Sequence, residues 1–188
     1  MTSVAMTDQK QAVMTMLEHV DDESGMTNVL LEQLTKESCS LLQGNAKFLG
    51  VFNADKLPRP ASVASHCTFI VNLASPSQGQ YRGHFISMYV NPADRYIVYV
   101  DSLGLPCMLP QLHSLIQALK LPFFYNVKTL QNMSSKACGL YSLLMCMFFT
   151  IHTQHGITLP KFQFSSQAPL SNDLKCHKYI LLLLNLTK

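Results

Sequence analysis

The sequence predicts an α+β fold in which helices flank a mixed β-sheet. Three observations favour this class. Short apolar runs of strand length fill the middle of the chain, helical patterns precede and follow them, and two of the central runs are joined by a turn-forming segment. With 188 residues, 48% of them hydrophobic, the chain is long enough for one domain with a hydrophobic core.

Helical patterns lie on both sides of the strand-rich region. Residues 28–42 carry apolar side chains at helical spacing, and Gly44 follows them as a stop signal. The segment from Cys138 to Ile151 is apolar nearly all round, which predicts a buried helix. Two further helices are expected at about 109–119 and 172–186, with a loop over most of 156–173.

Five segments read as β-strands: 47–52, 67–74, 83–90, 96–103 and 123–130. The second of these is a continuous apolar run, which is typical of a buried central strand. The third and fourth flank residues 91–95 (NPADR), whose composition favours a tight turn. We therefore expect these two strands to form a hairpin.

The two ends of the chain differ in character. Residues 1–25 are polar and become acidic toward their end, so we expect a flexible N-terminal extension, with at most a short helix over 12–17, followed by a single domain over 26–188. The apolar run 179–186 is far shorter than the ~20 residues that span a bilayer. It predicts a buried terminal helix or strand and no association with a membrane.

The charge pattern is mildly basic, with a net charge of +3 and scattered Lys and Arg. It permits weak DNA contact but lacks the clustered basic stripe of a dedicated nucleic-acid binder. The six cysteines form no C-x-x-C pair, and the N-terminus lacks the apolar core of a secretion signal, so we expect reduced thiols in an intracellular setting. His66-Cys67 and Cys176-His177 are adjacent pairs without zinc-ligand spacing, so no metal site is expected.

Cys138 is the best placed of the cysteines to be a nucleophile. It stands where a polar loop ends and the apolar helix begins, and unpaired N–H groups at a helix N-terminus favour a thiolate and a developing oxyanion. Gly139 would let a substrate backbone approach closely. The alternative is that Cys138 is a small buried residue, as free cysteines often are. Cys146, inside the apolar helix, fits that alternative better, whereas Cys107 and Cys176 have polar surroundings and are expected nearer the surface.

His84 and Asp101 are the candidate partners of such a thiol. His84 opens the third strand and Asp101 closes the fourth. If these strands pair around the turn, the start of one lies beside the end of the other, so the imidazole and the carboxylate become neighbours. The alternative is an unrelated histidine near a solvated aspartate. The other histidines lie in predicted loops, on an amphipathic helix or near helix ends, where surface positions are commoner.

An ordered set of short motifs adds a family resemblance. These are FLGVF (48–52), IVNLA (70–74), Gly83-His84, Asn91-Pro92 followed by Asp101 and Gly104, and Gln131 seven residues before the cysteine of Ala137-Cys138-Gly139-Leu140. In this order and spacing they resemble the adenovirus protease (adenain) family, the viral branch of the cysteine-protease clan that includes the SUMO proteases. The resemblance covers about residues 47–149 and implies the mixed-sheet cysteine-protease fold.

The resemblance also implies roles for four residues. Cys138 would attack the scissile carbonyl, His84 would take and return the proton, and Asp101 would hold His84. Gln131 would donate its side-chain amide to the oxyanion, beside the Cys138 backbone N–H.

The implied activity is thiol endopeptidase cleavage of viral capsid and core precursors at Gly-containing sites during virion maturation. The expected enzyme is a monomer in the host nucleus or the virion, requiring no cofactor, with a peptide or DNA activator by analogy. Asp101 stands where adenain has Glu, as on the SUMO-protease side of the clan, so a protease that removes ubiquitin-like modifiers is the alternative. An inactive structural homologue is a third reading, because Phe85 replaces the family's tryptophan and Lys120 its peptide-linking cysteine.

Overall fold

The computed structural model describes residues 3–20, 25–74, 83–155 and 164–187. Its helices are α1 (Ser3–Glu18), α2 (Asn28–Leu42), α3 (Pro110–Leu119), α4 (Cys138–His155) and α5 (Pro169–Asn185), with a short 3₁₀ helix at Pro60–Val63. Its strands are β1 (Lys47–Asn53), β2 (Cys67–Asn72), β3 (Phe85–Asn91), β4 (Tyr96–Val100) and β5 (Phe123–Tyr125). The α+β class is as predicted, and so is the order in which α2 to α5 and β1 to β5 follow one another.

The five strands form one mixed sheet in sequence order, β1-β2-β3-β4-β5. The β2–β3 and β3–β4 pairs are antiparallel, and the two outer pairs are parallel. Asn91 closes the β3–β4 turn, because its Oδ1 accepts the Asp94 N–H at 3.0 Å and its Nδ2 donates to Asp94 Oδ2 at 2.9 Å. The predicted hairpin is therefore confirmed.

Hydrophobic cores cover both faces of the sheet. On one face, Ile70, Phe85 and Tyr89 pack in a cluster with α2, α4 and α5. On the other face, Ile86 and Met88 pack in a second cluster with α3. Every residue of β2 and β3 is consequently buried, which explains the continuous apolar run that marked β2 in the sequence.

The N-terminal segment differs from the predicted flexible extension. Residues 3–18 form α1, which packs against α2. Val13 and Leu17 are four residues apart, so they share one helix face, and both are fully buried in the cluster around α4. The polar composition of the segment concealed this two-residue apolar contact, and α1 is part of the packed structure.

Two smaller differences concern β5 and the C-terminal region. β5 is three residues long where eight were predicted, because at Asn126 the chain turns toward the end of β4. α5 begins at Pro169, three residues earlier than predicted, with proline in the first turn where its missing N–H costs nothing. The apolar end of α5 is buried through Ile180, Leu183 and Leu184, as predicted. Residues 156–163 of the predicted loop lie outside the described residues.

In the part of the chain that the structure describes, none of the helices has the length and apolar character needed to cross a membrane.

Candidate active site

Cys138 is the first residue of α4, and its side chain is near the surface of the apolar cluster with 8% of its area exposed. The helix starts from the Ala137 carbonyl, which accepts the Tyr141 N–H at 3.0 Å. Gly139 follows, and a Cβ there would lie 3.0 Å from Met26 Sδ. The absence of a side chain at position 139 thus lets the segment before α2 pack directly beside the thiol.

The other described cysteines are less suited to nucleophilic chemistry. Burial raises the pKa of Cys39 and of Cys67 to about 12, in spite of opposing effects of Thr150 and Lys47 respectively. Burial also raises the pKa of Cys146 well above its ordinary value. Cys107 and Cys176 are buried too, which differs from their predicted exposure, because the chain turns these two side chains inward while neighbours such as Met108 and Leu174 are exposed.

His84 immediately precedes β3 and is held there by its backbone and by the neighbouring glycine. The Leu73 N–H donates to the His84 carbonyl at 2.8 Å. A Cβ on Gly83 would lie 1.7 Å from Asn72 Oδ1 and 2.6 Å from the Ala74 Cβ, so only glycine fits at that position. The chain therefore passes close against the end of β2 just before it presents the imidazole.

The imidazole bonds to Asp101 directly. His84 Nε2 lies 2.7 Å from Asp101 Oδ1, with the His84 side chain 21% exposed and that of Asp101 1% exposed. Because Nε2 faces the carboxylate, Nδ1 is the ring nitrogen left for a thiol. The predicted proximity of these two side chains is thus observed.

Asp101 is fixed by several further hydrogen bonds. Oδ1 also accepts the Leu103 N–H at 2.7 Å, and Oδ2 accepts the Tyr99 hydroxyl at 3.3 Å. Asn126 binds the Asp101 backbone at both ends, since its Oδ1 accepts the Asp101 N–H at 2.9 Å and its Nδ2 donates to the Asp101 carbonyl at 2.6 Å. A buried carboxylate with this many partners is held in one orientation.

The electrostatics of His84 reflect its neighbours. Burial by itself lowers the pKa of His84, but hydrogen bonding and charge from Asp101 and from Cys138 outweigh it, so the pKa is raised from 6.5 to about 9. The ring is therefore an imidazolium near neutral pH. Both neighbours raise the pKa, so the imidazole interacts with the Asp101 carboxylate and with the Cys138 thiol.

Gln131 lies on the loop before α4, and its side chain is 3% exposed. Its Oε1 accepts the Ser102 hydroxyl at 2.7 Å, and its Nε2 donates to the Ser135 carbonyl at 2.8 Å. A primary amide carries two N–H groups, so one of them is not used by Ser135. Gln131 therefore keeps a second amide N–H for a further acceptor, and it lines the same cavity as Cys138.

One cavity joins these side chains. It has a volume of about 230 Å³, and its lining includes Cys138, His84 and Gln131 together with Met26 and Phe85. Phe85 is 2% exposed and belongs mainly to the core, so only part of its ring forms the wall. Four segments distant in sequence thus contribute to one concave site at the edge of the sheet.

Sequence reasoning missed Met26, Asn72 and Asn126. Met26 was placed at the boundary of the extension, and Asn126 fell inside a strand predicted to be longer. Asn72 Nδ2 donates to Asn28 Oδ1 at 2.7 Å, which ties the strand below Gly83 to the start of α2. The only signal for Asn72 was a polar residue in an otherwise apolar strand.

The other histidines whose side chains are described lie elsewhere in the structure. His66 bonds to the Tyr89 hydroxyl, and His113 Nε2 bonds to the Cys107 carbonyl at 2.7 Å. The side chains of His152 and His155 lie outside the described residues. Among the side chains that are described, no three His, Cys, Asp or Glu residues are arranged to hold a metal ion.

Comparisons with known proteins give only distant similarities. No protein-family model matches the sequence, and no curated protein matches it significantly. Among solved structures, the chain is similar to the SUMO protease Ulp1 with its catalytic cysteine oxidised to a sulfinic acid, at 13% identity and a TM-score of 0.48, over 94% of this chain and 95% of that one. It is also similar to AvrA with IP6 and CoA, at 17% identity and a TM-score of 0.44, over 93% and 67% of the two chains.

A third similarity is to ChlaDub1 from Chlamydia trachomatis, at 16% identity and a TM-score of 0.41 over 63% of this chain. The chain spans 62% of the length of ChlaDub1. At such low identities and TM-scores, the geometry of the site has to carry the functional conclusion.

Proposed function

We propose that this protein is a cysteine peptidase with Cys138 as nucleophile, His84 as base and acid, and Asp101 as the residue that orients His84. The observation that carries the proposal is a row of three groups. The Asp101 carboxylate lies 2.7 Å from the His84 ring, and the Cys138 thiol also interacts with that ring and raises its pKa. A thiol, an imidazole and an orienting group in hydrogen-bonding sequence form the nucleophilic arrangement of thiol hydrolases.

The proposed chemistry has two stages. The Cys138 thiolate attacks the scissile carbonyl carbon, and the carbonyl oxygen becomes an oxyanion that the Cys138 backbone N–H and the Gln131 amide stabilise. The His84 imidazolium then gives its proton to the leaving amine, which leaves an acyl-thioester on Cys138. Water, deprotonated by His84, hydrolyses the thioester, releases the acyl group as a carboxylic acid and restores the thiolate and the imidazolium.

For the substrate we propose a protein or peptide with glycine on the acyl side of the scissile bond. Met26 and Phe85 enclose a cavity of only about 230 Å³ beside the thiol, which favours a residue without a bulky side chain. The resemblance to the adenain family favours viral capsid and core precursors cut at Gly-containing sites. Asp101, in place of the glutamate of adenain, favours the Gly-Gly tails of ubiquitin-like modifiers as the second candidate.

The thiol chemistry is tested by mapping alkylation. Iodoacetamide at pH 7, with mass spectrometry of the peptides, is expected to label Cys138 before the five other cysteines. His84→Ala should slow that labelling, because the thiolate loses its imidazolium partner. Labelling of Cys138 no faster than that of Cys146 would favour the inactive homologue.

The substrate class is tested by direct competition. The protein is incubated with viral capsid precursors, with SUMO conjugates and with ubiquitin conjugates, and the products are identified by mass spectrometry of their new N- and C-termini. Cleavage of precursors alone supports the maturation peptidase, whereas release of a modifier with a free Gly-Gly terminus supports deconjugation. Cys138→Ala is the matched control in each reaction.

A further inference from the structure

The loop that carries Gln131 is bound from two sides. From the sheet side, the Ser102 carbonyl accepts the N–H of Leu130 at 2.7 Å and that of Gln131 at 2.9 Å. These bonds fix where the loop passes the end of β4. They leave the opposite side of the backbone, the carbonyl of Leu130 and the N–H of Asn132, to other partners.

Those partners come from the N-terminal turn of α5 and from α4. Asn172 is fully buried, and its Nδ2 donates to the Leu130 carbonyl at 2.9 Å and to the Ser165 carbonyl at 2.7 Å. Its Oδ1 accepts the Ser165 N–H at 2.9 Å, so the whole amide is used. A fully bonded, buried amide holds its partners in a single geometry.

Asp173 and Tyr141 complete the contact. The Asn132 N–H lies 3.3 Å from both carboxylate oxygens of Asp173. The Tyr141 hydroxyl lies 3.1 Å from the Leu130 carbonyl and 3.0 Å from Asp173 Oδ1. The residues on both sides of Gln131 are thus anchored to α4 and α5, although neither Asn172 nor Asp173 lines the cavity with Cys138.

We propose that Asn172 and Asp173 are positioning residues that set the direction of the Gln131 amide toward the oxyanion. The inference rests on the proposed peptidase function. Because Leu130 and Asn132 are held, the backbone torsions of Gln131 are fixed, and Ser135 takes one of its two amide N–H groups. The direction of the second amide N–H of Gln131 is then set by the loop backbone.

Two reactions of one thiol separate positioning from general stability. Acylation of Cys138 by p-nitrophenyl acetate passes through an oxyanion, whereas its alkylation by iodoacetamide is a direct displacement at carbon without one. Loss of the oxyanion donor should therefore slow acylation and leave alkylation unchanged. Both rates are measured at pH 7 on folded full-length protein, with Cys138→Ala giving the background.

The reference variant is Gln131→Ala, which we expect to slow acylation by about 10²-fold. Asn172→Ala and Asp173→Ala are expected to slow it by roughly 10-fold, through misplacement of the same donor. Asp173→Asn keeps an acceptor oxygen for the Asn132 N–H, so its acylation rate should be close to that of the wild type and well above that of Asp173→Ala. Ile180→Val, in the buried part of α5 away from the loop, controls for weakened packing and should change neither rate.

The inference is overturned if the Asn172→Ala and Asp173→Ala variants acylate as fast as the wild type, or if acylation and alkylation fall in parallel. Tyr141→Phe removes a donor to the same Leu130 carbonyl and provides the same comparison if Asn172→Ala does not fold. Failure of the proposed function looks different: Cys138→Ala would then hydrolyse the ester at the wild-type rate.

Discussion

His84 and Asp101 are hydrogen-bonded at 2.7 Å although they are not directly opposite each other in the β3–β4 hairpin. The register pairs Ser87 with Val100, so its continuation would set Ile86 opposite Asp101. His84 is therefore two residues beyond the position that would face Asp101, just outside β3. The imidazole spans this offset to reach the carboxylate.

The nucleophile assignment predicts unequal effects for two cysteines of α4. Cys138→Ala should lower kcat on a cleaved peptide by on the order of 10⁴-fold or more, because the covalent step is lost. Cys146→Ala, eight residues along the helix in the buried core, should leave kcat within about threefold once the protein is folded. Equal loss in the two variants, measured at a temperature well below both unfolding midpoints, would contradict the assignment.

The hydrogen bond to Asp101 predicts a specific defect in Asp101→Asn. An asparagine preserves the shape but removes the charge that raises the His84 pKa, so the pKa should fall from about 9 toward 6.5. NMR titration of the His84 ring measures this shift directly. His84→Ala should lose nearly as much peptidase activity as Cys138→Ala, since the groups act together. An unchanged titration in Asp101→Asn would refute the orienting role.

The raised His84 pKa also predicts a pH dependence of stability. A group that binds its proton more tightly when folded stabilises the fold fully below its unfolded pKa, and this stabilisation is lost as the pH rises through the folded pKa. For His84 the loss falls between pH 6.5 and about 9 and amounts to at most about 3 kcal/mol. Urea unfolding across this range should show the decline in the wild type and a flatter profile in His84→Gln.

Gly83 predicts a steric effect next to the base. Gly83→Ala brings a Cβ to 1.7 Å from Asn72 Oδ1 and 2.6 Å from the Ala74 Cβ, so the segment carrying His84 must move. We expect a lower melting temperature together with a lower rate of iodoacetamide labelling at Cys138. Adding Asn72→Ala removes the clash with Asn72 Oδ1 and leaves the clash with the Ala74 Cβ. The double variant should therefore recover part of the lost melting temperature and labelling rate. A Gly83→Ala protein that labels and melts like the wild type would contradict this account.

Much of the fold could be predicted because its signals are local. The apolar run of β2, the turn residues between β3 and β4 and the periodicity of α2 each report one element. α1 was missed because Val13 and Leu17 are the only fully buried apolar residues among the side chains of α1 that the structure describes, too few to mark a helix face. β5 is shorter than predicted because Val127 and Leu130 continue the apolar pattern in the sequence, whereas the contacts of Asn126 end the strand in the structure.

The candidate site was only partly predictable, for a different reason. Cys138, His84 and Asp101 stand at the ends of elements, where sequence patterns change, so they could be selected one by one. Asn126 and Asn172 act through backbone groups of residues that are 25 and 42 positions away, and a sequence does not show which carbonyl an asparagine will reach. Met26 lies beside the thiol because the segment before α2 packs over Gly139, a tertiary contact that the sequence does not show.

The position of Cys138 at the N-terminal end of α4 has a consequence for how the protein should lose activity on heating. α4 packs against α2, α5, β2 and β3, and Leu140 and Tyr141 of its first turn are buried, so a shift of that turn would disturb the core. Inactivation by local loosening is then disfavoured, and loss of peptidase activity becomes a reporter of the whole domain. A thermal scan followed in parallel by residual peptidase activity and by circular dichroism should show the two signals changing at the same temperature.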